Sequence, residues 1–286
     1  HRRLLGDSCE EFFESLQVAG RRKSIRVNTL KTSPRQVKRM LSEYGIEYGP
    51  VSWCPHGLWV SEQEMDLPEH QLGMYYIQSA ASMAAPQLLE GAQVALDLCA
   101  APGGKSTHLA QLMGNGGSLY ANESDRSRIK ALVYNLQRCG VSNCIVTLGD
   151  AMRFDPPSGG ADSVLLDAPC SGVGTISTSR EILSRWSLDW VRRLSALQKK
   201  LIVAAYDMLS DGGTLVYTTC TTTVEENEQV VTHLLTQREG ACLQKVRLEG
   251  LSPDPARGDS TEGCIRISPI RDGAEPHFIS KVIKDG

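Results

Sequence analysis

Three observations predict an α/β protein for this 286-residue chain, with a mixed, mostly parallel sheet behind a small N-terminal α+β unit. Beyond residue 78, short apolar runs alternate with amphipathic stretches, the pattern of strands joined by crossover helices. Two of those runs end on cysteine: Val164-Leu165-Leu166-Asp167-Ala168-Pro169-Cys170 and Thr214-Leu215-Val216-Tyr217-Thr218-Thr219-Cys220. A third, Val94-Ala95-Leu96-Asp97-Leu98, opens into the glycine turn Cys99-Ala100-Ala101-Pro102-Gly103-Gly104-Lys105-Ser106. In a parallel sheet the carboxyl ends of strands are where ligands and chemistry gather.

The elements follow in order. Residues 7–19 read as a helix with Phe12, Phe13 and Leu16 on one face. Residues 24–30 read as a strand. Ser33 and Pro34 then supply an N-cap and a first-turn proline for a helix to about Tyr44. The stretch through Val60, broken by Gly and Pro, fits short strands. Residues 1–75 thus form the expected small unit and 76–286 the main domain. In the latter a small-residue helix over 79–89 leads into strands near 94–98, 117–122, 143–148, 162–167, 213–218, 242–248 and 277–283. Helices are expected near 105–113, 125–138, 188–209 and 224–238. The seventh strand arrives without a preceding helix, which suits an antiparallel position. There is no internal repeat and no low-complexity tract.

Hydrophobic content of 41% and charged content of 22% are those of an ordinary globular chain. No apolar run approaches the ~20 residues needed to span a bilayer, and no secretory signal is visible. The nine cysteines are odd in number and contain no Cys-x-x-Cys pair. That argues against a disulfide framework or a metal site and for a reducing, cytoplasmic setting. The chain opens on His1, which fits a trimmed N-terminus. Its net charge of −3 is unevenly spread: residues 1–40 carry ten Lys/Arg against four acids, leaving +6 there and −9 for the remainder. Such a cluster (Arg2, Arg3, Arg21, Arg22, Lys23, Arg26, Lys31, Arg35, Lys38, Arg39) reads either as a phosphate-facing surface or as a solvated helix face.

The glycine turn between a strand and a helix lets a ligand approach the backbone closely. Gly104-Lys105-Ser106 is similar to the end of a phosphate-binding loop, but that motif needs glycine where Cys99 stands. The dinucleotide spacing Gly-x-Gly-x-x-Gly is absent too. Glu123 ends the second strand, where it can accept hydrogen bonds from both hydroxyls of a ribose. Asp150, after the third, can receive an adenine amino group. With Asp97 after the first strand, these acids outline an adenosine site of the S-adenosylmethionine type.

Three segments then carry a specific resemblance: Asp97 through Ser106, Asp167-Ala168-Pro169-Cys170-Ser171-Gly172-Val173-Gly174-Thr175, and Tyr217-Thr218-Thr219-Cys220-Thr221. In this order they resemble the Nop/Sun family of RNA cytosine-5 methyltransferases. Glu225-Glu226-Asn227-Glu228, the tail from Ile267 through Lys281 and Arg26-Val27-Asn28-Thr29-Leu30-Lys31 extend the likeness over nearly the whole chain. Val224 replaces the usual proline before the acidic run, and Ser177-Thr178-Ser179 replace the usual basic residues after Ile176. The resemblance implies a Rossmann-like, seven-stranded S-adenosylmethionine-dependent methyltransferase fold. It also implies that the N-terminal unit binds RNA and that the substrate is RNA, with no membrane or metal partner and a monomeric protein. The compact form resembles tRNA-modifying members more than rRNA-modifying ones.

Carbon 5 of cytosine is too poor a nucleophile to attack a sulfonium methyl group; a thiolate added to carbon 6 makes it enamine-like. By resemblance Cys220 is that nucleophile and Cys170 assists removal of the carbon-5 proton and release of product. Asp167 holds the cytosine N3/N4 edge, and Lys105 orients the base or lowers a thiol pKa. The implied cofactor contacts are Cys99, Ala100, Ala101, Pro102, Gly103, Gly104, Lys105, Glu123, Arg128, Asp150 and Asp167. Cys9, Cys54, Cys139, Cys144, Cys242 and Cys264 read as small buried hydrophobes, and Cys99 also as packing. Trp186, Trp190, Arg192 and Arg193 either border an RNA channel or, for the tryptophans, pack in the core. A DNA cytosine-5 methyltransferase would instead use Cys170 as nucleophile and leave Cys220 idle, and an amino-group methyltransferase would want an aromatic at Cys170. A non-catalytic RNA-binding factor that keeps the fold is the remaining alternative.

Overall fold

The structure, a computed structural model, describes residues 9–19, 22–61, 65–176, 181–251, 254–255 and 261–286. Helix α1 (Cys9–Ala19) buries Phe12 and Leu16, an i, i+4 pair, while Phe13 turns a further 100° and lies exposed. Strand β1 (Lys23–Val27) stops short of the expected Leu30. Asn28 leaves the ladder, and its Nδ2 donates to the carbonyls of Gly73 and Cys139, both at 2.8 Å. Helix α2 (Pro34–Glu43) starts as the sequence specifies, with a capping box between Ser33 and Gln36. Its Val37, Met40 and Leu41 face a core shared with Ile25, Val27, Leu58, Val60 and Tyr75. Strands β2 (Tyr48–Pro50) and β3 (Gly57–Val60), helix α3 (Pro68–Gln71) and strand β4 (Tyr75–Ile77) complete the N-terminal unit. Its four strands pair antiparallel in the order β2-β3-β1-β4.

The helix expected over 79–89 is broken into a 3-10 turn at Ala81–Met83 and a short α4 (Ala84–Gln87). Pro86 has no N–H to give the carbonyl of Ser82, so the turns cannot join. The chain then alternates through β5 (Val94–Asp97), α5 (Gly104–Leu112), β6 (Ser118–Glu123), α6 (Ile129–Arg138), β7 (Cys144–Leu148) and β8 (Ala161–Asp167). Helices α7 (Glu181–Arg185) and α8 (Leu188–Asp207), strand β9 (Leu209–Thr219), helix α9 (Glu228–Gln237) and β10 (Ala241–Gln244) follow. The short β11 (Asp254–Pro255) and β12 (Ile265–Ile267), helix α10 (Pro269–Asp272) and β13 (His277–Lys284) end it.

Among the described residues the main sheet has nine strands, the seven expected and two short ones: eight lie in the order β11-β12-β13-β9-β8-β5-β6-β7, and β10 pairs with β13 beside that path. Strands β7, β6, β5, β8 and β9 are parallel, and β13 runs antiparallel to β9 as anticipated. The outer edge of β13 is divided: β12 pairs with residues 277–279 and β10 with 281–284. This explains why β10 ends at Gln244, short of 248. Strands β11 and β12, two and three residues long, are too short to show an alternating pattern.

The parallel strands are buried on both faces. Ala95, Leu165 and Val216 point to one side, and Leu96, Val164, Leu166, Leu215 and Tyr217 to the other. The chain leaves β5 toward β6 and β7, then returns on the opposite side as β8 and β9. A crevice therefore opens at the carboxyl ends of β5 and β8. Among the described residues no helix is long and apolar enough to cross a membrane.

Arg26, counted in the sequence among the phosphate-facing charges, is instead fully buried where the N-terminal sheet meets α5. Its Nη1 donates to Gln78 Oε1 (2.5 Å) and to the Gly104 carbonyl (2.8 Å). Its Nη2 reaches Thr107 Oγ1 (2.8 Å) and its Nε reaches Gln111 Oε1 (3.2 Å). Burial lowers its pKa to about 10, so it stays charged at neutral pH. Lys31 is likewise engaged, with the Leu72 and Arg138 carbonyls. The remaining exposed charges of the cluster include Arg35, Lys38 and Arg39 of α2, while Arg2, Arg3 and Arg21 lie outside the described residues. Arg26→Ala is expected to lower stability by about 2–4 kcal/mol, because several buried acceptors lose one charged donor together. An unchanged midpoint in urea denaturation would remove this role.

Candidate active site

The crevice is assembled from three strand ends. After β5, the turn through Gly103 holds φ at +103°, a left-handed conformation; a Cβ there would also meet Leu132 Cδ1 of α6 at 3.1 Å. The turn starts α5 at Gly104, so backbone lines one wall of the crevice. Asp97 is completely buried, with Oδ2 accepting from Ser106 Oγ at 2.6 Å and Oδ1 left without a partner. Burial raises its pKa to about 7, opposed by the Ser106 bond.

Glu123, at the end of β6, is buried and faces the same turn. Its Oε2 accepts from Ala101 N (3.2 Å) and pairs with Arg128 Nη1 (3.3 Å), while Oε1 accepts from Asp125 N (2.9 Å). Arg128 also donates to the Ala101 carbonyl. Asp150, after β7, is exposed and caps the turn Ala151–Arg153 by accepting from Met152 N at 3.0 Å; Gly149 beside it donates its N–H to the Glu123 carbonyl at 3.1 Å. Asp150 is not among the residues that line the cavity reached by Glu123.

That cavity, of about 380 Å³, runs from Cys99, Ala101, Glu123 and Arg128 to Asp167, Cys170 and Cys220. Strands β8 and β9 pair in parallel with Asp167 opposite Thr218, so the loops beyond them emerge side by side. Their cysteines meet, with Cys170 Sγ 3.3 Å from Cys220 Sγ. The bond to Cys220, and then burial, hold the Cys170 thiol well above its ordinary pKa and therefore protonated at neutral pH. Lys105 Nζ lies 2.6 Å from Asp167 Oδ2. Burial opposes the ammonium charge, but Asp167 outweighs it and the lysine pKa is raised. A second cavity of about 200 Å³ continues past this ion pair, between Tyr76, Gln78 and Ser79 on one side and Pro102 and Gly104 on the other.

Two contributors to the site carried no signal of their own in the sequence. Glu226, read only as part of an acidic run, is a buried clamp across the two cysteine loops. It accepts from Ser171 N (2.7 Å), Ser171 Oγ (2.5 Å), Thr223 Oγ1 (2.7 Å) and Gln198 Nε2 (3.1 Å). Asn227 next to it accepts from Thr219 Oγ1 (2.6 Å) and donates to the Thr221 carbonyl (3.0 Å). Trp190 is exposed at the rim of the larger cavity and is not core, whereas Trp186 is half-buried. Cys99 lines the cavity too, and burial raises its pKa. Residues 177–180, where the resemblance departs, lie outside the described residues. Among the described residues the cysteines are free and no three metal-ligating side chains converge.

A glycine turn after the first parallel strand, a buried acid after the second and a cavity joining both to the sheet's far strand ends define the class of S-adenosylmethionine-dependent methyltransferases. The described residues fit that cofactor: the turn exposes backbone, Asp97 has a spare acceptor, and the cavity connects Glu123 to the thiols. Comparison with known proteins makes the class particular. Residues 85–283 match the family described as 16S rRNA methyltransferase RsmB/F, and residues 1–80 match the N-terminal domain of 16S rRNA methyltransferase RsmF. The chain belongs to the RsmB/F methyltransferase family. It is 39% identical over 287 residues to the ribosomal RNA small subunit methyltransferase F of Shewanella piezotolerans, covering 96% of this chain and 60% of that protein. It is also 39% identical to the protein of the same name from Erwinia tasmaniensis, with 97% and 60% covered. The chain thus spans about 60% of the length of these curated relatives.

Among solved structures, it is similar to a methyltransferase homolog protein from Pyrococcus horikoshii, with a TM-score of 0.88 and 30% identity over 99% of this chain and 92% of that one. NSun6 from the same organism, solved with SFG, shares the fold at a TM-score of 0.86 and 23% identity, covering 100% of this chain and 96% of the other.

The buried acid of the turn makes a pH test. Its folded pKa of about 7 lies above the unfolded value, so its contribution to stability is full below about pH 4 and lost as pH rises through 7. Asp97→Asn removes this titration. The stability of the native chain relative to Asp97→Asn is expected to fall between pH 4 and 7 and to level off above. Parallel urea midpoints across that range would refute the burial argument.

Proposed function

We propose that this chain is an RNA (cytosine-5-)-methyltransferase of ribosomal RNA. The observation that supports it best is the pair of thiols 3.3 Å apart at the end of the cavity that starts at Glu123. The names of the matched relatives point to small-subunit ribosomal RNA in place of the expected tRNA. The compactness behind the tRNA expectation is no guide, because the chain spans only part of those relatives. We divide the chain into a unit over 1–75 that positions RNA and a catalytic domain over 76–286, acting as a monomer in the cytoplasm.

In this reading Cys99, Ala100, Ala101, Pro102, Gly103 and Gly104 offer backbone to the cofactor, and Glu123, buttressed by Arg128, takes the ribose hydroxyls. Asp150 is available to the adenine from the edge of the sheet. When bound, S-adenosylmethionine supplies an electrophilic methyl group. Cys220 attacks carbon 6 of the extruded cytosine as a thiolate, with the protonated Cys170 donating to its sulfur. Lys105 holds one oxygen of Asp167, and the other is left for the N3/N4 edge of the base. After methylation the carbon-5 proton passes to solvent with Cys170 assisting; the electron pair of that C–H bond restores the ring double bond as the bond from carbon 6 to the Cys220 sulfur breaks and its pair returns to the thiolate.

Two outcomes are expected. S-adenosylmethionine should raise the melting temperature of the native chain, and Glu123→Ala should reduce that shift; stabilisation by ATP alone would end the methyltransferase reading. On denaturing gels with 16S rRNA and cofactor, Cys220→Ala should form no covalent complex. Cys170→Ala should accumulate one, because addition precedes the release step it lacks. An adduct mapped to Cys170 in Cys220→Ala would reverse the two roles.

A further inference from the structure

A third cavity, of about 140 Å³, lies in the seam between the N-terminal sheet and the segment that enters β13. Its walls include Arg22, Lys23, Trp59, Gln78, Ser79 and Glu275. The Arg22 guanidinium carbon sits 3.8 Å over the centre of the Trp59 ring, and the indole beneath it is buried in the sheet. The arginine is exposed and so offers its outer face as a rigid, charged platform. Gly273 makes room for it: a Cβ there would lie 3.1 Å from Arg22 Nη1.

The cavity is coupled to the active site on two sides. Gln78 and Ser79 also line the cavity beside Lys105 and Asp167. Pro276, next to Glu275, presses its carbonyl on Gly174 beside that of Cys220, so that a Cβ on Gly174 would meet both oxygens at 2.7 Å. The seam thus shares walls with the cavity at Lys105 and Asp167, which in turn shares Asp167 and Cys99 with the cavity at the thiols.

The chemistry of the walls selects what can enter. Glu275 is a half-buried carboxylate that faces the Ser79 hydroxyl and the charge of Lys23; burial raises its pKa, opposed by both. A carboxylate repels phosphate, so its place here is not explained by backbone contacts; carboxylates accept from the N–H groups of bases. Guanine alone presents two adjacent donors, N1–H and the N2 amino group, on its Watson–Crick edge. Arginine planes stack on bases, and lysine takes phosphate. We propose that this cavity is a subsite for a guanine neighbouring the target cytosine, stacked on Arg22, read by Glu275 and held at its phosphate by Lys23. The proposal rests on the RNA reading above and adds to it a sequence preference.

The test uses the full chain with labelled single-stranded hexanucleotides that carry one cytosine in a uridine background. Guanine, inosine or adenine stands immediately before or after that cytosine. Guanine on one side should bind about tenfold more tightly than the uridine parent, within the discrimination of a good bidentate pair. Inosine, lacking the N2 amino group, should recover only part of this. Glu275→Gln should abolish the guanine preference while keeping the affinity for the parent. Arg22→Ala should weaken the guanine hexamer most, and the melting shift with S-adenosylmethionine should stay unchanged in both. No guanine preference in the native chain, or a preference that survives Glu275→Gln, overturns the subsite. Methylation of 16S rRNA by the native chain then tells which reading failed: if it is intact, only the subsite is lost, and if it is absent the RNA reading falls as well.

Discussion

The pairing of β8 with β9 fixes the geometry on which the rest of the site depends. Two parallel strands in register deliver their following loops to the same place, and the two thiols meet because neither loop has freedom to wander. Strand pairing alone would leave the loops beyond Asp167 and Thr219 to solvent. Glu226 prevents this by taking donors from both loops at once, and Gln198 of α8 ties the same carboxylate to the Pro169 carbonyl at 2.8 Å. A buried carboxylate with this many donors is costly to unpair, so the clamp also makes the loop arrangement unique.

The seam between the two sheets is held by a different device. Arg26 is a buried cation whose charge is met by neutral oxygens, not by a carboxylate. One of those oxygens is the Gly104 carbonyl at the start of α5, so the N-terminal sheet bears directly on the turn that opens the crevice. Asn28 makes a second tie, to carbonyls of Gly73 and Cys139. The N-terminal unit is thus joined to the larger sheet by polar contacts that demand one orientation. This is why the cavities of the seam have definite walls.

Much of this was legible in the chain itself. The capping box at Ser33, the parallel core strands and the antiparallel β13 follow from local pattern, because caps and fully buried strands write themselves into a few adjacent residues. The glycine turn and the two cysteines announced the crevice in the same way. The broken helix near Pro86, the exposed Phe13 and the two short strands at 254–255 and 265–267 were not legible. The first turns on a single proline within a run of good helix formers, and the others depend on a partner far away in sequence or on a run too short to carry a period.

The sequence by itself determined the layer architecture, the family and the residue types brought to the strand ends, since motifs and periodicity are local properties of the chain. Only the tertiary structure decided what those residues do to one another. It drew Arg26 out of the basic surface into the interior and tied Lys31 to backbone carbonyls at the surface, and it left Asp150 exposed while Asp97 and Glu123 are buried. It also turned an acidic run into the clamp of Glu226 and Asn227. Charge and burial are relations among distant segments, and a side chain's role is fixed by the neighbours that folding supplies.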